Sequence, residues 1–172
     1  MNLHIKAYNL FWSLYQTNNE FKKIIDENIK TGKIRFFNEE EWSKIESQNF
    51  ISPNPELKDF TDMFLLGYNI GNCIGCSRQL SYSYKNIDIV SGILPILKGT
   101  LNAEQEGGHG WLETYKYIID TSLMLVIDKS LKDTIGYIEE RRITANELAN
   151  SPTYKARKEF VNDKNLKQNK RK

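Results

Sequence analysis

Cysteine and histidine are the scarcest chemistry-bearing residues of this 172-residue chain, with two of each. Two cysteines exclude the disulfide framework that staples small secreted domains. They also leave a structural zinc site short of ligands. Cys73 and Cys76 form a Cys-x-x-C pair, but such a site needs four ligands, usually with a second pair at short spacing, and His4 and His109 lie far apart. No apolar run approaches the roughly 18 residues of a membrane span. Met1 to Gln16 are interrupted by Lys6, Asn9 and Ser13, so no signal-peptide core is recognised. An excess of one charge is lacking too, with 24 Lys+Arg against 22 Asp+Glu. These absences predict a soluble domain in a reducing, cytoplasmic setting, with no metal, no cofactor and no membrane contact.

With 40% apolar residues over this length, one domain can bury a core without staples. The near-neutral balance hides an asymmetry. Residues 154–172 carry eight basic and two acidic side chains, whereas 1–153 are net acidic. The chain therefore divides into a single catalytic-type domain, 1–153, and a basic, partly disordered tail, 154–172. Such a tail suits an acidic or nucleic-acid contact, but no aromatic platform or groove-reading motif accompanies it.

Apolar periodicity predicts helix through Leu3, Ala7, Leu10, Phe11 and Leu14, continuing through Phe21, Ile24 and Ile25 until Thr31-Gly32. Asn38 and Glu41 have capping-box spacing. Ser52-Pro53-Asn54-Pro55 is a break, followed by a helical stretch from Glu56 to about Leu66. A glycine turn at Gly71 opens a helix-compatible run to Tyr84. From Ile87 the pattern turns strand-like: Ile87–Ser91, His109–Glu113 and Tyr117–Val126, with a loop at Lys98–Gly108. Helix returns after Asp128, with a second capping box at Thr144 and Glu147 and a last segment opening at Ser151-Pro152. Helices, then a small antiparallel sheet, then helices describe an α+β fold.

The scarcity of Cys and His makes the possible constellations countable. Redox use of Cys73 and Cys76 fits a thiol pair at a helix N-terminus, but no βαβ pattern precedes it. Thiol acyl transfer needs a nucleophilic sulfur, an imidazole and a group that orients the imidazole. Cys73 follows Gly71-Asn72 and opens a predicted helix, where backbone amides favour negative charge. His109 and Asp120 fall on successive strands of a hairpin. If Glu113 pairs with Lys116, or Leu112 with Tyr117, His109 and Asp120 stand directly opposite on one face. Trp111 and Glu113 share that face by strand alternation. Trp111 is expected to pack beside the imidazole and Glu113 to be structural.

Gly71-Asn72-Cys73, Ile89-Val90-Ser91-Gly92, His109-Gly110-Trp111-Leu112-Glu113 and Ile118-Ile119-Asp120-Thr121 together resemble the signature of the transglutaminase-like superfamily. The resemblance spans Gly71 to Thr121, and His-x-Trp-x-Glu is its most specific piece. It implies a papain-like α+β fold, with the nucleophile at the start of a helix packed on an antiparallel sheet. Cys73 would be the nucleophile, His109 the general base and then acid, and Asp120 the orienting carboxylate. The interval from His109 to Asp120 is short for this group and implies a tight hairpin. Cys76 is an alternative thiol, as nucleophile or as resolving partner under oxidation. Asn69 and Asn72 are candidates for a second oxyanion donor.

The leading expectation is a thiol enzyme acting on an amide bond of a peptide or protein substrate: a cysteine peptidase, deamidase or transglutaminase-type acyltransferase. Two alternatives stand beside it, a non-catalytic interaction module of the same fold and a Cys-x-x-C redox or sensing protein.

Overall fold

The computed structural model describes residues 12–41, 72–98 and 108–169. Within them a six-stranded, wholly antiparallel sheet carries helices on both faces, which makes the fold α+β. In chain order the elements are α1 (Asn19–Lys30), β1 (Ile34–Phe36), α2 (Asn72–Ser81), β2 (Asp88–Ile93), β3 (Gly108–Glu113), β4 (Tyr117–Asp120), β5 (Leu125–Asp128), α3 (Lys132–Ile135), β6 (Ile138–Ile143), α4 (Ala145–Asn150) and α5 (Pro152–Asn169). The strand order is β1-β5-β4-β3-β2-β6, which places β3, the strand of His109, in the interior of the sheet.

Alternation along the strands sorts the core into two layers. Val90, Trp111, Ile118, Leu125 and Ile127 face Phe21 and Ile25 of α1. Ile89, Leu112, Ile119, Val126 and Ile143 face Leu80 of α2, Leu148 of α4 and Tyr154 of α5. Phe21 and Ile25 are one helical turn apart, so a single stripe of α1 covers the sheet. The predicted helix through Leu14 and Ile25 is broken at Asn18. That residue adopts an extended conformation and its side chain accepts from Phe21 N at 2.9 Å, capping α1. Gly32, at φ +70°, ends the helix where expected. The capping box at Asn38 and Glu41 is present in both directions, with Glu41 N donating to Asn38 Oδ1 at 2.9 Å and Asn38 N to Glu41 Oε2 at 3.0 Å. So is the one at Thr144 and Glu147.

Two strand expectations are corrected. Tyr117–Val126 is not one strand but β4 and β5, joined by a tight reversal. Asp120 Oδ1 accepts from Ser122 N and Leu123 N, both at 2.9 Å, and Met124 takes φ +59°. The carboxylate thus satisfies the backbone donors of the turn that ends its own strand. The return to helix after Asp128 is interrupted by β6, whose sequence Ile-Glu-Glu-Arg-Arg-Ile has no apolar alternation. A charged outer strand protects the sheet edge from further pairing, and that role hides it from a reading based on burial. The break at Pro53–Pro55, the helix after Glu56, Gly71 and most of the 98–108 loop lie outside the described residues. The basic segment from Tyr154 is helical as far as Asn169.

Gly92 shows how closely β6 is seated. A Cβ there would lie 1.9 Å from the Ile138 carbonyl oxygen, at the irregularity where the β2–β6 register shifts. Backbone cannot yield as a flexible side chain can. Gly92→Ala is therefore expected to lower the denaturant midpoint by the equivalent of about 2 kcal/mol or more, with β6 partly detached. Chemical denaturation of the purified variant checks this, and an unchanged midpoint would show that β6 can shift freely.

Candidate active site

The hairpin of β3 and β4 brings His109 and Asp120 together. Its register is Leu112 with Ile119 and Glu113 with Ile118, two residues away from the pairing expected from the sequence. The reason lies in the turn. Thr114 N donates to Tyr117 O at 2.8 Å, and Thr114 Oγ1 accepts from Tyr117 N at 2.8 Å, so the tip is Tyr115-Lys116. A shift of two residues preserves the face, but His109 and Asp120 become diagonal rather than directly opposed neighbours. Diagonal Cβ atoms are roughly 7–8 Å apart, a span that an imidazole and a carboxylate fill. Nε2 of His109 lies 2.7 Å from Oδ2 of Asp120, and both side chains are buried.

Four groups hold the Asp120 carboxylate. Its Oδ1 takes the two amides of the β4–β5 reversal, while Oδ2 takes His109 and the Tyr137 hydroxyl, which donates at 2.6 Å. Burial opposes the charged carboxylate, but His109, Tyr137 and the Leu123 amide outweigh it and hold the pKa below the usual aspartate range. Burial likewise opposes the imidazolium of His109. There the Asp120 charge and hydrogen bond, followed by Cys73, outweigh it and raise the pKa well above the ordinary histidine value. Tyr137 is pushed upward by burial and then by the adjacent Asp120 charge, which keeps it a donor.

Cys73 lies in the first turn of α2 and is 3% exposed, near enough to His109 to contribute to the raised pKa of the imidazole. With Nε2 committed to Asp120, Nδ1 is the ring nitrogen that this bond leaves uncommitted. Helix α2 seats Leu80 against the sheet, and its first two turns are tied to the strand ends by a chain of hydroxyls. Ser77 Oγ donates to Gly110 O at 3.3 Å and lies 3.4 Å from Thr121 Oγ1, which contacts Cys73 O at 3.4 Å. Ser77 and Thr121 are both buried. Through them the residue after Asp120 grips the carbonyl of Cys73.

Trp111 is fully buried and packs beside the imidazole, with ring centroids 6.0 Å apart, and against Tyr137 at 4.9 Å. Glu113 anchors an ion cluster. Its Oε1 accepts from Trp111 Nε1 at 2.9 Å and Lys132 Nζ at 2.8 Å, and its Oε2 meets Lys129 Nζ at 2.6 Å and Arg142 Nη2 at 2.8 Å. Burial raises its pKa, but these four partners outweigh that and bring it down to about 2. Glu139 and Asp88 balance the remaining positive charge through Lys132 and Arg142.

Of the sequence candidates, His109 and Asp120 are brought together, Cys73 stands in the first turn of α2, Trp111 packs beside the imidazole, and Glu113 accepts from the Trp111 indole. Asn69 and the side chains of Asn72 and Cys76 lie outside what the structure describes. Tyr137, Ser77 and Thr121 were missed as site residues. Tyr137 had no motif to mark it, whereas Thr121 stood beside Asp120 and invited inspection. Among the described residues, no group of three or more His, Cys, Asp and Glu side chains is placed to hold a metal ion, and no helix is long and apolar enough to cross a membrane. No family model, no curated protein and no solved structure matches the chain.

Proposed function

We propose that this chain is a thiol-dependent acyl-transfer enzyme that cleaves or exchanges an amide bond of a peptide or protein substrate. The observation that carries the reading is the buried 2.7 Å bond between His109 and Asp120, and the contribution of Cys73 to the raised pKa of the same imidazole supports it. The resemblance of Gly71–Thr121 to the transglutaminase-like signature supports it, as does the packing of α2 on an antiparallel sheet.

The chemistry follows from the placement. The Cys73 sulfur attacks the acyl carbon after passing its proton to Nδ1 of His109, whose raised pKa favours the imidazolium. The carbonyl oxygen gains negative charge beside the first turn of α2, where unpaired backbone amides and the helix dipole favour it. The tetrahedral centre collapses, the C–N bond breaks, and His109 returns its proton to the departing amine. Water or a second amine then attacks the thioester, which frees Cys73. Asp120 holds the imidazole in the tautomer that makes Nδ1 the acceptor, and Tyr137 holds Asp120.

Site-resolved alkylation by iodoacetamide tests the reading. Cys73 is expected to react faster than Cys76 at pH 7, and His109→Ala to slow Cys73 by at least about tenfold without changing Cys76. Equal, slow labelling of both thiols, unaffected by His109→Ala, would sink it in favour of an interaction module. A reversible Cys73–Cys76 disulfide with a measurable potential would favour a redox protein.

A further inference from the structure

A second, chemically different site lies at the other end of β2. His109 stands opposite Gly92, near the end of that strand, whereas a cavity of about 330 Å³ opens just before its start at Ile87. Five extended residues separate the two ends, a distance of about 16 Å. Apolar side chains line the cavity: Ile87, Ala145, Leu148, Ala149 and the rings of Tyr84 and Tyr154. Asn86 and three lysines, Lys85, Lys155 and Lys158, complete it, and no carboxylate does.

This concentration of positive charge is unbalanced. Among the described residues, neither Lys85 nor Lys155 is ion-paired with a carboxylate. Asp88, the acid nearest to Lys85 along the chain, is consumed by Arg142 Nη1 at 2.6 Å and by Ala145 N at 2.7 Å, and Glu159, which follows Lys158, does not line the cavity. Lys158 is half-buried, donates to the Tyr84 carbonyl and sits 5.8 Å from the centre of the Tyr154 ring. Burial and then the nearby Lys85 charge lower its pKa, so the two ammonium groups repel one another in place. Around Glu113 the protein matches clustered charge closely. Here, among the described residues, no carboxylate pairs with Lys85 or Lys155, and an apolar floor lies beside the cations.

We propose that this cavity binds a small phosphate-bearing organic molecule, the phosphate held by Lys85, Lys155 and Lys158 and the apolar part covered by Leu148, Ala149 and Tyr154. Lysines are point charges suited to a phosphate dianion, and three of them match its charge better than that of a single carboxylate. The volume lies at the small end for ligand cavities, which suits a compact molecule rather than a polymer. The site is separate from Cys73 and stands whether or not the thiol chemistry holds.

Isothermal titration of the full chain with AMP, adenosine and inorganic phosphate tests the proposal. AMP is expected to bind at one site, with adenosine at least about tenfold weaker, and phosphate competing weakly. Lys85→Glu combined with Lys155→Glu should weaken AMP binding by about tenfold or more. Both positions are exposed, so folding is expected to persist, and thermal unfolding checks it. Ala149→Trp, which fills the cavity and leaves every lysine in place, should also weaken AMP. Absence of AMP and phosphate binding would overturn the proposal, as would binding that neither variant alters. So would tighter binding of a single-stranded RNA, steeply salt-dependent and indifferent to Ala149→Trp, which would make α5 a nucleic-acid surface instead.

Discussion

Replacing Asp120 by alanine is expected to lower folding free energy by about 3–5 kcal/mol and to slow Cys73 alkylation at least as much as His109→Ala. The carboxylate is fully buried and accepts from His109, Tyr137, Ser122 N and Leu123 N. Alanine leaves all four groups without an acceptor in a region water does not reach, and removing one partner of a buried charge pair costs more than the pair contributed. Asp120→Asn separates the two consequences. The amide keeps one acceptor oxygen and nearly the same volume, so most of the stability should return. Reactivity should not, because asparagine carries no charge to favour the imidazolium. Equilibrium denaturation and alkylation rates, measured on both variants, check this. Full recovery of the alkylation rate in Asp120→Asn would reduce Asp120 to a turn residue.

The pair also sets a pH window. His109, with its folded pKa raised, contributes stability that is complete below the ordinary histidine range, and it is lost as pH rises through the raised value. Asp120, with its folded pKa lowered, contributes stability above the ordinary aspartate range, and it is lost as pH falls through the lowered value. The two contributions therefore coincide from weakly acidic to neutral pH.

Glu113 is expected to produce the second large effect, as an acid-labile contribution of about 3 kcal/mol. Its pKa lies near 2 when folded, against an ordinary glutamate value of about 4.3 when unfolded. Because the folded value is depressed, the stabilisation is full above the unfolded pKa. It disappears as pH falls from there toward 2. Glu113→Gln removes this titration and strands Lys129, Lys132 and Arg142 around a neutral amide. The variant should be less stable by about 3 kcal/mol at pH 7 and show a flatter stability profile between pH 4.5 and 2. Denaturant unfolding across that range checks the result, and parallel profiles for the two proteins would show that the cluster contributes no net stability. Trp111 transmits part of the loss, since its indole donates to Glu113 while its ring packs on His109 and Tyr137.

Much of the local structure was legible because its causes are local. The two capping boxes, the glycine at the end of α1 and the helical spacing of Phe21 and Ile25 express contacts within a few residues of chain. The strand of Trp111 and Leu112 announced itself through apolar and aromatic residues. β6 did not, since its four central residues are charged and its hydrogen bonds go to β2, nearly 50 residues earlier. The hairpin register was read two residues off because Thr114, with no glycine or asparagine at the tip, closes the turn through its own hydroxyl. Parity survived the error, and so did the placing of His109 and Asp120 on one face.

The scarcity of cysteine and histidine, together with the order of Cys73, His109 and Asp120, was enough to choose these residues from the sequence alone, because so few alternatives existed. The approach of His109 to Asp120 was settled only by the tertiary structure. A turn shaped by Asp120 itself, a hydroxyl chain from Ser77 to Thr121, and a tyrosine delivered from between α3 and β6 have no spacing signature along the chain. The balanced ion cluster at Glu113 and the unbalanced lysines at Ile87 were likewise invisible in a composition near neutrality. A net charge counts residues, whereas electrostatic energy depends on which of them share a low-dielectric space.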